Sequence, residues 1–199
     1  ALAAALFHLY TAGFGFWEPR QQRSLHLLML LPLAFLLFPA RPAHSPKDRP
    51  SALDWLLAAL AVLPNLYSLV EANDINMRME NVDPLSPLQI ALGTIATALV
   101  LEALRRAVTP VLAGLVGLGI AYLFLTEHMP GMLQYRDMPF AEIVETMYLL
   151  NGLGMYGSIT GIAATMVATF VVFGAFIEGS GIGRLFHNVG MRAAGRYAG

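Results

Sequence analysis

The chain has 199 residues, of which 57% are hydrophobic and only 13% are charged, and its formal net charge is -1. Because an ordinary soluble domain has a charged fraction of about 25%, this chain has too few polar side chains to cover a globule of its length, and lipid is the expected solvent for most of it. The near-neutral balance excludes a basic surface that gathers nucleic acid, and the lack of cysteine excludes disulfides and thiolate metal sites.

The first two apolar segments are the least regular ones. Residues 1–16 are apolar from Ala1 onwards and lack the basic region of a signal peptide, so we expect a membrane span whose beginning lies upstream. Residues 24–40 include Pro32 and are barely long enough to cross a hydrocarbon core of about 30 Å at about 1.5 Å per helical residue. This second segment is therefore the weakest predicted span.

The third apolar segment, residues 52–70, begins with a helix-capping signal. Ser51 and Asp54 form a Ser-x-x-Asp variant of the capping box. Pro64 and Asn65 lie inside the predicted helix and indicate a kink. Asn65 is the most deeply placed polar side chain of the segment, and we expect neighbouring helices to satisfy it rather than a ligand.

Three later segments have the length and composition of complete spans, namely residues 88–104, 108–126 and 155–177. A tight basic turn at residues 104–109 joins the first two, whereas residues 71–87 and 127–138 are polar loops that contain proline. Residues 139–150 have apolar side chains at helical spacing, which predicts an amphipathic helix along the outer membrane interface. The predicted fold class is an all-α polytopic membrane protein with about six transmembrane helices and one interfacial helix.

Successive spans place the connecting segments alternately on the two sides of the membrane, and the basic residues are divided unevenly between these sides. One side carries Arg41, Lys47, Arg49, Arg105, Arg106, Arg184, Arg192 and Arg196, and the other carries Arg20, Arg23, Arg78 and Arg136. The more basic side is expected to be cytoplasmic. Arg20 and Arg23 fit this division poorly, and they leave open that residues 24–40 do not fully cross.

A small charged cluster ends the span at residues 88–104. Glu102 precedes Arg105 and Arg106 by one helical turn, and such a pair stabilises a helix by only about 0.2–0.5 kcal/mol. Two interpretations remain: an anchor that stops the span and pairs with another helix, or a functional charge within the membrane. The position of both arginines directly after an apolar run favours the anchor.

No catalytic or metal-binding pattern stands out in the sequence. The five histidines lack a spacing that places two imidazoles on one helical turn, and no Gly-x-Ser-x-Gly elbow is found. The glycine-rich stretch at residues 179–183 follows an apolar helix rather than a strand, so it is a poor dinucleotide motif. We therefore predict no enzyme activity, no metal and no cofactor.

Four stretches resemble a known family of transporters: "RSLHLLMLLPLAFLLFP", "ALDWLLAALAVLPNLYS", "LVLEALRRAVTPVLAGLVGLGIAYLF" and "MYLLNGLGMYGSITGIAATMVATFVVFGAFIEGSGIGRLF". They are similar to the fused permease of tripartite ATP-independent periplasmic (TRAP) transporters that work with TAXI-type receptors. The resemblance implies that residues 1–150 form the small scaffold module and that residues 151–199 begin the large transport module, whose remainder is expected beyond Gly199.

The resemblance also implies a function. The expected activity is uptake of an organic acid across the inner membrane of a bacterium or archaeon, delivered by a periplasmic TAXI-type receptor and driven by a sodium or proton gradient, with the large module moving as an elevator. The substrate and ion site is expected beyond Gly199, so this segment would supply scaffold and receptor docking. The acids expected to help dock the receptor are Glu71, Asp74, Glu80 and Asp83. The alternative function is a membrane assembly or structural subunit that transports nothing.

Overall fold

The computed structural model describes residues 2–40 and 50–194, and within these ranges it contains helices and no strand. The α-helices are α1 (Leu2–Phe14), α2 (Pro19–Leu37), α3 (Ala52–Val70), α4 (Ala72–Met77), α5 (Pro87–Ala107), α6 (Pro110–Leu123), α7 (Phe140–Val144), α8 (Ser158–Ile162), α9 (Ala168–Gly179) and α10 (Ile182–Ala194). Of the predicted cytoplasmic basic residues, Arg41, Lys47, Arg49 and Arg196 lie outside the described residues.

Three helical stretches among the described residues are long and apolar enough to cross a membrane: Ala52–Val70, Pro87–Ala107 and Ser158–Gly179. The third comprises α8 and α9, which are joined without a break by π-helical turns at Ala163–Val167. Helices α1 and α6 are apolar but shorter. The all-α class is confirmed, whereas a total of six spans stays a prediction.

Local capping signals set the starts of α3 and α5. The Ser51 hydroxyl accepts a hydrogen bond from the Asp54 amide, and the Asp54 carboxylate accepts one from the Ser51 amide at 2.9 Å, so the predicted capping box is confirmed. Ser86 and Gln89 form a second capping box at the start of α5. Helix α5 continues to Ala107, so Arg105 and Arg106 lie in its last turn and not in the basic turn predicted at residues 104–109. Thr109 caps the start of the following helix, α6.

Helix α2 begins five residues earlier than the segment predicted at residues 24–40. The Glu18 carboxylate accepts a hydrogen bond from the Gln21 amide at 2.9 Å, and Pro19 occupies the first helical turn, where its missing N–H costs nothing. Arg20 and Arg23, which precede the predicted segment, therefore both lie inside this helix.

Helices α2, α3 and α5 pack side by side through a core of small and large apolar side chains: Leu31, Phe35, Ala58, Ala61, Leu99 and Ala103. The C-terminus of α2, the N-terminus of α3 and the C-terminus of α5 meet around Arg106, and we call this side of the bundle the Arg106 end. The opposite side, where Arg20 bonds Ser68 and Leu149, is the Arg20 end. Helix α1 packs against α9.

Residues 140–149 form α7 and one π-helical segment, Glu145–Leu149. Their apolar side chains Ile143, Val144 and Tyr148 are buried in the protein. Gly93 of α5 permits this packing, because a Cβ there would lie 2.5 Å from Val144 Cγ1. The apolar face of the predicted interfacial helix is therefore buried against α5 rather than free to face lipid, and its position at the membrane interface stays a prediction.

Candidate functional site

The three predicted charges Glu102, Arg105 and Arg106 come together at the Arg106 end. Arg105 donates to Glu102 from Nε and Nη2, both at 2.7 Å, and Arg106 Nε donates to Glu102 Oε1 at 2.7 Å. Arg106 Nη1 also donates to Asp54 Oδ1 at 2.7 Å and to the Phe38 carbonyl at 3.3 Å. One guanidinium thus joins α2, α3 and α5.

Burial separates the roles of the two arginines. The side chains of Arg106 and Asp54 are 2% and 0% exposed, whereas the Arg105 side chain is 43% exposed. The Arg106 guanidinium also lies over the Phe35 ring, 5.1 Å from its centroid. This closed arrangement favours the interpretation of the cluster as an anchor between helices. Sequence reasoning assigned Asp54 only a capping role and missed this ion pair.

The Arg20 end contains a polar network that sequence reasoning did not identify. Arg20 is 1% exposed. It donates from Nη2 to the Tyr148 carbonyl at 3.0 Å, from Nη1 to the Leu149 carbonyl at 2.7 Å, and from Nε to Ser68 Oγ at 3.1 Å. The last carbonyls of a helix have no partner within it and carry partial negative charge. Arg20 therefore caps the C-terminal end of the interrupted helical segment at residues 140–149.

Arg23 binds the far side of the same interruption. Its Nη1 donates to the carbonyls of Asn151 and Tyr156 at 2.8 and 2.6 Å, and Arg20 Nη1 reaches Asn151 Oδ1 at 2.9 Å. Within the described ranges, neither Arg20 nor Arg23 forms an ion pair with a carboxylate. Backbone carbonyls hold both guanidinium groups, and Arg20 is also held by the side chains of Ser68 and Asn151.

Tyrosine hydroxyls connect this network to Pro64 and Asn65 in α3. Tyr156 donates to Asn65 Oδ1 at 2.9 Å, and Tyr148 donates to the Pro64 carbonyl at 2.6 Å. The Asn65 amide donates back to the Ala61 carbonyl of its own helix at 2.8 Å. The prediction that the protein itself satisfies Asn65 is confirmed.

A buried histidine pair lies between α1 and α2. His26 Nδ1 and His8 Nε2 are 3.1 Å apart. Nearby, Gln22 Nε2 donates at 3.2 Å to the carbonyl of Ala164, which lies in the π-helical turns of the stretch Ser158–Gly179. The sequence places no two histidines on one helical turn, and packing of α1 against α2 brings His8 and His26 together. The described residues contain no group of three or more candidate metal ligands.

The predicted docking acids Glu71, Asp74, Glu80 and Asp83 lie at the Arg20 end. Three of them line one open cleft of about 300 Å³, while Glu80 is exposed outside it. Arg78 borders the same cleft and donates to the Asp83 carbonyl at 2.6 Å, and it forms an ion pair with the buried Glu145 at 3.4 Å. The cleft is therefore acidic with one compensating guanidinium.

The neighbouring loop carries a second ion pair, between Arg136 and Glu142. The hydrogen bond from the Arg136 guanidinium lowers the pKa of Glu142.

No known protein family, curated protein or solved structure matches this chain. The geometry of the two ends of the bundle therefore carries the functional interpretation.

Proposed function

We propose that the chain is the membrane permease component of a secondary transporter of the TRAP type. It would import organic acids that an extracytoplasmic TAXI-type receptor delivers, with a sodium or proton gradient as the driving force. In this proposal the segment supplies mainly scaffold and receptor docking, residues 1–150 belong to the fixed module, and residues 151–199 lead into the moving one.

The observation that carries the proposal is the break between the helical segments at residues 140–149 and 158–179, which Arg20 and Arg23 bind at one end of an apolar bundle. Burying a guanidinium beside membrane-spanning helices is costly, and such residues are candidates for functional regions. Secondary transporters use interrupted helices with exposed ends near their sites. A helix bundle that only anchors other subunits needs neither feature. The interruption also falls at the proposed module boundary between residues 150 and 151.

The proposed topology has six spans in a bacterial or archaeal inner membrane, formed by α1, α2, α3, α5, α6 and the stretch Ser158–Gly179. The Arg106 end faces the cytoplasm because it carries Arg105 and Arg106, in agreement with the positive-inside rule. Ser158–Gly179 begins beside Arg23, so its far end, followed by Arg184 and Arg192, lies on the same side as Arg106. The acidic cleft at the Arg20 end then faces the receptor.

Uptake into proteoliposomes tests the proposal. The purified membrane protein is reconstituted, radiolabelled organic acids are added outside with or without the soluble receptor, and sodium and proton gradients are imposed separately. We expect accumulation only when the receptor and one gradient are both present, and its loss when an ionophore dissipates that gradient. Absence of uptake under every gradient, from folded and correctly oriented protein, would contradict the proposal in favour of a non-transporting subunit.

A further inference from the structure

Helix α10 separates apolar from polar side chains more completely than the other long helices that the structure describes. The residues of its apolar face recur at positions i, i+3, i+4 and i+7, which lie on one side of a helix: Ile182, Leu185, Phe186 and Val189. The opposite face carries three polar side chains and one methionine: Arg184, His187, Asn188 and Met191. Arg192 lies at the boundary between the two faces.

No described part of the protein covers the apolar face of α10. The side chains of Leu185, Phe186 and Val189 are 60%, 71% and 55% exposed. A Cβ added at Gly183 or Gly190, on the flank of this face, would meet nothing within 4 Å. Because exposure of a continuous apolar face to water is unfavourable, the face requires an apolar neighbour.

The position of α10 in the chain indicates that this neighbour is lipid. The helix follows the spanning stretch Ser158–Gly179 after a turn at Gly181, whose φ of 76° favours glycine. Its 13 residues extend about 20 Å at about 1.5 Å per residue, and this length is too short to cross a hydrocarbon core of about 30 Å. The helix therefore begins where the chain leaves the membrane and does not re-enter it as a span.

The charge of this region selects the kind of lipid. Residues 179–199 contain the three arginines Arg184, Arg192 and Arg196 and no acidic residue. Within the described ranges, neither Arg184 nor Arg192 forms an ion pair. Basic amphipathic helices bind membrane surfaces through burial of the apolar face and attraction to anionic lipids. A second copy of this chain offers the same positive charge and therefore complements α10 poorly.

We propose that α10 lies in the membrane interface, with Leu185, Phe186 and Val189 among the acyl chains and Arg184 and Arg192 at the level of the phosphate groups of anionic lipids. Its placement in the cytoplasmic leaflet rests on the proposed function. The contact with lipid is tested below without receptor or gradient, in discs that expose both membrane surfaces. A failure of this inference is therefore distinguishable from a failure of uptake or topology.

Electron paramagnetic resonance of nitroxide labels provides the test, because the chain has no cysteine. Leu185→Cys and Met191→Cys are a matched pair, since the native side chains are 60% and 62% exposed on opposite faces. Each labelled full chain is placed in nanodiscs of phosphatidylcholine with or without phosphatidylglycerol. Collisions of the label with oxygen, which concentrates in the bilayer, and with a water-soluble nickel chelate are then measured.

With phosphatidylglycerol present, we expect the label at residue 185 to collide mainly with oxygen and the label at residue 191 mainly with the chelate. Equal access of the chelate to both labels would overturn the proposal, because the apolar face would then be in water. Low access of both reagents to residue 185 would also overturn it, because protein from the same chain or a second copy would then cover the face.

Two double variants test the role of charge in the Leu185→Cys background. We expect phosphatidylglycerol to raise the oxygen-to-chelate collision ratio severalfold in the parent. Arg184→Gln with Arg192→Gln should lose this rise, whereas Arg184→Lys with Arg192→Lys, which keeps both charges, should retain it. An equal ratio with and without phosphatidylglycerol in the parent, or an undiminished rise in the glutamine variant, would overturn the assignment of anionic lipid.

Discussion

Replacing Arg106 by glutamine is expected to destabilise the protein far more than the same change at Arg105, although the two residues are neighbours that bind the same Glu102 carboxylate. Arg106 is 2% exposed and its second partner Asp54 is 0% exposed. Removing one member of a buried ion pair costs about 3–5 kcal/mol, because the other charge is left without compensation. Arg105 is 43% exposed, and an exposed pair contributes about 0–1 kcal/mol.

The difference can be measured by unfolding each purified variant in mixed micelles with increasing SDS while tryptophan fluorescence is recorded. We expect the free energy of unfolding of Arg106→Gln to fall below that of Arg105→Gln by about 3 kcal/mol. The double variant Asp54→Asn with Arg106→Gln removes the stranded carboxylate. It should therefore lose less stability than the sum of its single variants, as expected for residues in direct contact.

Equal losses from Arg106→Gln and Arg105→Gln would refute the reasoning, since burial would then not distinguish the two arginines. Additive losses in the double variant would refute the direct pairing of Asp54 with Arg106. The double variant with Arg105→Gln and Arg106→Gln gives a further check. A changed substrate affinity in this variant, at a normal protein level, would contradict the interpretation of the cluster as an anchor.

Three further predictions address the remaining parts of the structure. Gly93→Ala should cost about 1–3 kcal/mol of unfolding free energy by overpacking, whereas Gly117→Ala, where a Cβ meets nothing within 4 Å, should cost none; equal effects in SDS unfolding would contradict the close packing of Val144 against Gly93. Tyr156→Phe removes the donor to the buried Asn65 and should cost about 1–3 kcal/mol, a loss that the exposed Tyr10→Phe change should not reproduce. Charge reversal of the docking acids should reduce receptor-dependent uptake without changing protein level, and unchanged uptake would exclude a docking role for Glu71, Asp74, Glu80 and Asp83.

The helices that could be predicted from the sequence are those whose signals are local. The start of α3 follows from Ser51 and Asp54, which are three residues apart, and its interior from a mainly apolar sequence. The pairing of Glu102 with both arginines is likewise visible as helical spacing. Its extension to Asp54 is not, because 52 residues separate Asp54 from Arg106 and only packing of α3 against α5 brings them together.

The network at the Arg20 end could not be predicted from side-chain patterns. The acceptors of Arg20 include the backbone carbonyls of Tyr148 and Leu149, which every residue possesses and which sequence therefore does not distinguish. The burial of residues 140–149 was missed for a related reason, since an apolar helix face has the same periodicity whether it covers lipid or protein. Gly93 was the only sequence feature that favoured packing of this face against protein. It can be interpreted in this way only once the residues that pack against it are known.

The central claim is that the two ends of the bundle face opposite sides of a membrane, with Arg106 in the cytoplasm and the acidic cleft outside. The chain has no cysteine, so single cysteines introduced at exposed positions report their side directly. We would label Glu80→Cys and Val108→Cys in intact cells with a membrane-impermeant maleimide. We expect Glu80→Cys to react in intact cells and Val108→Cys to react only after permeabilisation. Labelling of both variants in intact cells, or of Val108→Cys alone, would contradict the claim.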